Sequence, residues 1–232
     1  MFIARESKKK REARVREIME RLDAHYGDHP MIFLEAENAW QLLFATILSA
    51  QCTDARVNMV TEKLFKKYKS LEDFASCDLT ELEEDIHSTG FYHNKAKNIK
   101  ACATVLVEEY GGEVPKDIDS LTALPGVGRK TGNLILGNIF HIPSIVVDTH
   151  VKRISNRLGL ADSSDPTKTE FQLMEVLPKE FWIRCNTHII ALVRSLCTSQ
   201  KPKCELCYLN DLCPSVKGDP ETWRSPAERK KY

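Results

Sequence analysis

The sequence lacks a net charge: its 33 Lys and Arg are balanced by 33 Asp and Glu. Overall basicity therefore does not advertise a nucleic-acid partner, and any such partner has to be read from where the charges sit. No apolar stretch approaches the length of a membrane span, so a membrane partner is not expected. The opening segment, MFIARESKKKREARVREIME, lacks the apolar core of a signal peptide. These absences predict a soluble cytoplasmic chain, nucleoid-associated if prokaryotic. Alternating segments are scarce; SIVVD at 144–148 is the best strand candidate and is too short and isolated to build a sheet. There is no internal repeat, low-complexity tract or long flexible linker, so any domain boundary has to be a packing boundary.

What is present is helical periodicity. With 42% hydrophobic residues over 232 positions the chain can bury one or two ordinary cores. Ile99, Cys102, Ala103, Leu106, Val107 and Tyr110 recur at three- and four-residue steps, and Gly111-Gly112 supplies the stop. Similar patterns follow Asp54 and Asp78. Asp165-Pro166 reads as an N-cap followed by proline at the first helical position. AWQLLFATILSA at 39–50 is apolar nearly all round and predicts a buried central helix. The fold class is all-α. Residues 214–232, with Pro214, Pro220 and Pro226, many charges and little apolar content, read as a loose tail despite Trp223.

Charge is unevenly spread. Residues 72–85 carry Glu72, Asp73, Asp78, Glu81, Glu83, Glu84 and Asp85 with no Lys or Arg. Residues 120–157 carry Arg129, Lys130, Lys152, Arg153 and Arg157 against Asp148 alone. One face is expected to be basic. The Lys- and Arg-rich start, interleaved with Glu, reads as a solvated helix.

Eight cysteines without a secretory signal argue for reduced thiols. Cys52, Cys77, Cys102 and Cys185 are scattered on predicted helices and read as small core or surface residues. Cys197, Cys204, Cys207 and Cys213 crowd into CTSQKPKCELCYLNDLC with spacing C-x6-C-x2-C-x5-C. Four thiolates in so short a segment point to a metal centre. Zinc sites more often pair two close knuckles, and only Cys204 and Cys207 form one here; an iron–sulfur cubane accepts compact, uneven spacings. Spacing favours the cluster and leaves zinc open. Beside Lys201 and Lys203, such a centre could hold a basic loop in shape against a phosphate backbone.

LPGVGRKTGN at 124–133 lies between a short helix, 118–123, and an apolar helix from about 129 to 140. Gly126 and Gly128 allow backbone angles closed to other residues and leave N–H groups uncovered where the second helix begins. That is a phosphate-binding turn in principle, and an ordinary αα-corner otherwise.

The hairpin, followed by VVDTH at 146–150 and the four-cysteine loop, with LSAQCTD at 48–54 and GFYHNKAKNI at 90–99, resembles the endonuclease III branch of the helix-hairpin-helix DNA glycosylases. The resemblance runs from about Ile18 to Cys213. It implies a six-helix domain over residues 32–142 carrying the hairpin. It implies a second, four-helix domain built from 1–31 and 143–213 that carries a 4Fe-4S cluster, with double-stranded DNA in the cleft between the two. It also implies a monomer that acts on a damaged base or abasic site.

By the same resemblance Lys130 is a Schiff-base nucleophile and Asp148 a catalytic carboxylate. Lys130 has to shed its proton to attack, which partial burial, the helix start and Arg129 would favour. Asp148 would stabilise positive charge developing on the sugar and accept protons, and it is also well placed to cap the helix that follows. Gln51 and Phe91 match positions that fill the gap left by a flipped nucleotide; an aromatic at 91 departs from the leucine of the bacterial enzyme. Gly126, Gly128, Arg129, His150, Lys152 and Arg153 are expected phosphate contacts, with no role assigned to His93 and Asn94. The expected activity is a bifunctional glycosylase and abasic-site lyase for oxidised pyrimidines. The alternatives are a monofunctional thymine or adenine mismatch glycosylase, and a non-catalytic DNA-binding protein with zinc.

Overall fold

A computed structural model describes residues 6–28 and 33–217. Among them the only regular elements are helices, eleven α-helices and several 3-10 turns. The described parts of Met1–Met31 and Pro143–Tyr232 form one compact unit, and those of Ile32–Ile142 form the other.

Side-chain caps start eight of the eleven described α-helices. α1 (Lys8–Tyr26) is capped by Ser7, α2 (Ala39–Leu48) by Asn38 and α3 (Asp54–Lys67) by Thr53. In α4 (Leu71–Ser76), Ser70 and Asp73 form a reciprocal capping box; Asp78 caps α5 (Leu79–Ile86), which runs into a 3-10 turn, His87–Thr89. α6 (Tyr92–Tyr110) stops at Gly111, whose φ of 60° is left-handed. Asp117 caps α7 (Ile118–Ala123), and α8 (Arg129–Asn138) follows. In the other unit Asp148 caps α9 (Thr149–Arg157), Asp165 caps α10 (Pro166–Val176) with Pro166 at its first position, and α11 spans Trp182–Ser195.

The Ile32–Ile142 unit thus has seven helical segments, one more than the six the resemblance implies, and α4 and α7 are only six residues long. Its core centres on α2, in which every residue from Gln41 to Leu48 is buried, as the uniform apolarity of that segment predicts. Phe44, Phe65, Phe74 and Trp40 meet there mostly edge to face.

The other unit holds four helices. α1 completes its core although more than 100 residues separate it from the rest in the chain. Val15, Ile18, Met19 and Leu22 are fully buried against α9, α10 and α11 residues such as Ile154, Leu173 and Ile189. Polar ties reinforce this packing: Arg11 and Arg14 donate to the carbonyls of Leu160 and Leu158, and Arg21 donates to that of Tyr208.

SIVVD is not a strand, because no second extended segment lies beside it among the described residues; Ile145 and Val147 are buried by helices, and Asn186 donates to the Val146 carbonyl. The supposed tail begins as folded chain: Pro214–Lys217 is a 3-10 turn, and the buried Ser215 hydroxyl donates to the Arg157 carbonyl at 2.7 Å. The remainder of that segment, with Trp223, lies outside the described residues.

Candidate active site and metal centre

The hairpin is α7, the turn 124–128 and α8. Leu124 and Val127 are buried and anchor the turn, with the Val127 amide donating to the Leu124 carbonyl at 3.1 Å. Gly126 has φ +77°, and a Cβ there would stand 2.7 Å from Asn98 Cβ on α6. Conformation and close approach both demand glycine at that position. Gly128 is the N-cap of α8 and offers no side chain, so the first-turn N–H groups of α8 carry no side-chain cap and are available to an anion.

Lys130 is the second residue of α8 and is exposed. The partial burial expected from sequence is therefore not found within its unit. The inward face of α8 is taken by Gly132, Asn133, Ile135 and Leu136, which turns Lys130 outward. Arg129 is half-buried beside it.

Gln51 and Phe91 share an unusual backbone. Both lie at left-handed φ, 55° and 52°, and both are exposed, Phe91 by 64% of its surface. An aromatic residue in that region is uncommon and costs of order 1–3 kcal/mol. Packing explains neither side chain, since each points away from its core. His93, two residues on, pairs with Glu83 at 2.5 Å on the surface.

Asp148, His150 and Lys152 belong to the other unit. Asp148 is half-buried, and its Oδ1 accepts the Val151 amide proton at 2.7 Å, so it caps α9 as its position predicts. Lys152 already has a protein partner, donating from Nζ to the Ser164 carbonyl at 3.1 Å. His150 is half-buried.

At the far end of α9, about 13 Å away at 1.5 Å per residue, lie the four cysteines. Cys197, Cys204, Cys207 and Cys213 are free thiols around one pocket whose walls include Ile154, Leu158, Leu192 and Leu196. Burial pushes the Cys204 and Cys207 thiols up and Cys213 to about 11. Thiols held this way surrender their protons to a metal rather than to water. Arg157, 6% exposed, directs one N–H at Cys197 Sγ (3.4 Å) and others at the Thr198 and Ser199 carbonyls. A buried cation in contact with a ligand sulfur suits an anionic thiolate centre. Four free thiols lining one pocket supply the all-cysteine donor set that an iron–sulfur cluster takes.

The sequence reading missed two buried cations. Arg157 lies three residues beyond Ile154 on the apolar stripe of α9, and Lys95 lies four before Ile99 on that of α6. A Lys or Arg on the buried stripe of a helix was the available signal.

Residues 44–179 match the HhH-GPD superfamily base excision DNA repair protein family, and residues 197–213 match the iron-sulfur binding domain of endonuclease III. The chain is 50% identical to an endonuclease III of Synechocystis sp. over 184 residues, covering 79% of this chain and 84% of that protein. Its fold is similar to that of a trapped endonuclease III–DNA covalent intermediate, with a TM-score of 0.82 and 42% identity over 89% of this chain and 97% of the other. It is also similar to a thermostable thymine-DNA glycosylase, with a TM-score of 0.77 and 25% identity over 90% and 97% of the two chains. With its hairpin, its four-cysteine loop and these relatives, the chain belongs to the endonuclease III family, an iron–sulfur branch of the HhH-GPD base excision DNA repair superfamily.

Proposed function

We propose that this protein is a bifunctional DNA glycosylase and abasic-site lyase that excises oxidised pyrimidines from double-stranded DNA as a monomer. The observation that carries the reading is the Lys130 amine, exposed in the first turn of α8 directly after an uncapped glycine turn that can hold the sugar-phosphate backbone. The relative captured as a covalent intermediate with DNA supports it, and the preference for oxidised pyrimidines rests on the family.

In the proposed reaction the neutral Lys130 Nζ forms a bond to C1′ of the deoxyribose while the bond from C1′ to the base breaks, and the base leaves with a proton. The sugar ring opens to an imine on Lys130. Loss of a C2′ proton then expels the 3′ phosphate oxygen, and water hydrolyses the imine to free the lysine. Asp148 stabilises the positive charge on the sugar and takes the proton released by Nζ. Gly126, Gly128 and Arg129 hold phosphate on the hairpin, and His150, Lys152 and Arg153 hold it on α9; Lys152 would exchange its Ser164 carbonyl for this contact. Gln51 and Phe91 occupy the space vacated by the flipped nucleotide, the amide facing the orphaned base and the ring wedging between base steps. Cys197, Cys204, Cys207 and Cys213 would ligate the cluster, and that ligation would hold the loop 197–213 in shape. A neutral chain binding through such contacts loses affinity steeply with salt.

The test is borohydride trapping on a duplex with one abasic site, using the wild type, Lys130→Ala and Lys130→Gln. A covalent adduct with the wild type alone is expected. Adducts with both variants would move the chemistry to another amine. If no protein forms an adduct while the duplex is still bound, Lys130 is a phosphate clamp, and the monofunctional mismatch reading, to which the thymine-DNA glycosylase likeness points, takes over.

A further inference from the structure

The left-handed turns bearing Gln51 and Phe91 come from different parts of the chain. Gln51 follows the end of α2, and Phe91 follows the 3-10 turn His87–Thr89. One side chain joins them. Lys95, 5% exposed, donates from Nζ to the Leu48 carbonyl and to the Thr89 carbonyl, each at 2.8 Å, while its own amide donates to the Phe91 carbonyl at 3.1 Å. Leu48 is the last residue of α2, three before Gln51, and Thr89 is two before Phe91.

A buried ammonium is a costly way to fill space. Its desolvation holds Lys95 below the ordinary lysine range, and both of its hydrogen-bond acceptors are neutral carbonyls. An apolar residue on this stripe of α6 would pack without that cost, as Ile99 and Cys102 do. What an ammonium adds is several donors on one atom and a positive charge. It can hold two carbonyls of separate segments at once, and it faces the negative end of α2. The strained residues beyond those carbonyls need such over-determination to persist.

We infer that Lys95 is a positioning residue for base flipping: its ammonium pins the end of α2 to the turn before α6, so that Gln51 and Phe91 enter the duplex as one rigid two-pronged unit. The inference rests on the proposed roles of Gln51 and Phe91. Lys95 touches neither DNA nor the reacting atoms in this scheme. It acts only when a stacked nucleotide has to be extruded and the gap kept open.

The test separates extrusion from chemistry in the cluster-loaded full chain. Lys95→Met keeps the apolar stem and removes the charge and its donors; Lys95→Arg restores both and serves as the rescue variant. Thermal unfolding and iron content identify variants that remain folded. Two rates are then measured: single-turnover base release from a duplex with one oxidised pyrimidine, and borohydride trapping on a single-stranded oligonucleotide with a preformed abasic site, where no stacked pair has to be opened. Lys95→Met is expected to slow base release roughly ten- to a hundredfold, the scale on which misplaced groups lower rates, while trapping changes less than about twofold. Added to Phe91→Ala/Gln51→Ala, it is expected to cost little more, because the residues it positions are gone. Fluorescence of 2-aminopurine opposite the lesion is expected to show the same loss of opening. Equal losses in both assays, or an undiminished loss in the Phe91→Ala/Gln51→Ala background, would overturn the inference. If Lys95→Met fails to fold, Lys95→Gln, which removes the charge and is too short to hold both carbonyls, is read by the same two ratios against the wild type. A wild type that neither excises nor traps would refute the glycosylase reading itself, whatever the variants do.

Discussion

Asp148 has two assigned tasks that one substitution can pull apart. Its carboxylate caps α9 through a 2.7 Å bond from the Val151 amide, and in the proposed reaction it also supports the charge on the sugar. Asparagine serves as an N-cap about as well as aspartate, since its carbonyl oxygen accepts the same amide proton, but it carries no charge and accepts no proton. Alanine lacks the acceptor altogether and should cost about 1 kcal/mol through the lost cap. For a chain of this size that is a fall in Tm of roughly 2–4 °C. The chemistry should respond differently, because loss of a general base costs on the order of 10²–10⁴ in rate. Thermal unfolding and single-turnover base release from an oxidised-pyrimidine duplex read the two effects separately. We expect Asp148→Asn to unfold within about a degree of the wild type while excision collapses, and Asp148→Ala to lose both stability and activity. If Asp148→Asn retains the wild-type rate, Asp148 is a cap and nothing more; if it unfolds as early as Asp148→Ala, the cap argument fails.

The two hairpin glycines should behave oppositely. Gly126→Ala meets a left-handed φ and Asn98 Cβ at 2.7 Å, so it should destabilise the fold by about 1–3 kcal/mol in urea unfolding. Gly128→Ala has an ordinary φ and nothing within 4 Å, so it should unfold nearly as the wild type does yet bind duplex DNA more weakly in fluorescence anisotropy, its methyl group standing over the open N–H groups; unchanged affinity would mean that DNA does not approach this turn. His188 is completely buried, and desolvation lowers its pKa from the ordinary 6.5, opposed by Asp23 at 3.3 Å and helped by Arg184. Below pH 6.5 the unfolded chain therefore takes up a proton that the folded chain resists, and stability falls as pH falls. Wild type should lose stability between neutral pH and pH 5 more steeply than His188→Gln, by up to about 1.4 kcal/mol per pH unit; parallel pH profiles would show that His188 is not held neutral.

Much of this protein is readable along the chain because its signals are local. A cap acts on amides two or three residues away, so Asp78, Asp148 and Asp165 mark helix starts without reference to anything distant. The four-cysteine spacing and the two-glycine turn are also contained in short segments, which is why the metal centre and the hairpin are legible there.

Burial is another matter, because it depends on what packs against a residue. Whether Lys130 is covered or open was decided by which residues of α8 face inward. The ties from α1 to the end of α9 and to the cysteine loop span well over 100 residues, and periodicity within α1 does not say which core it will fill. Sequence alone determined an all-helical chain, the capped starts at Asp148 and Asp165, a metal-binding loop and a lysine behind a phosphate-sized turn, since each depends on neighbours a few residues away. Only the tertiary structure decided that Pro214 begins a folded turn, that Arg157 reaches a ligand sulfur, and that Lys95 ties together two strained turns. Each of these depends on distant segments meeting, and that meeting is set by how whole helices bury their apolar faces.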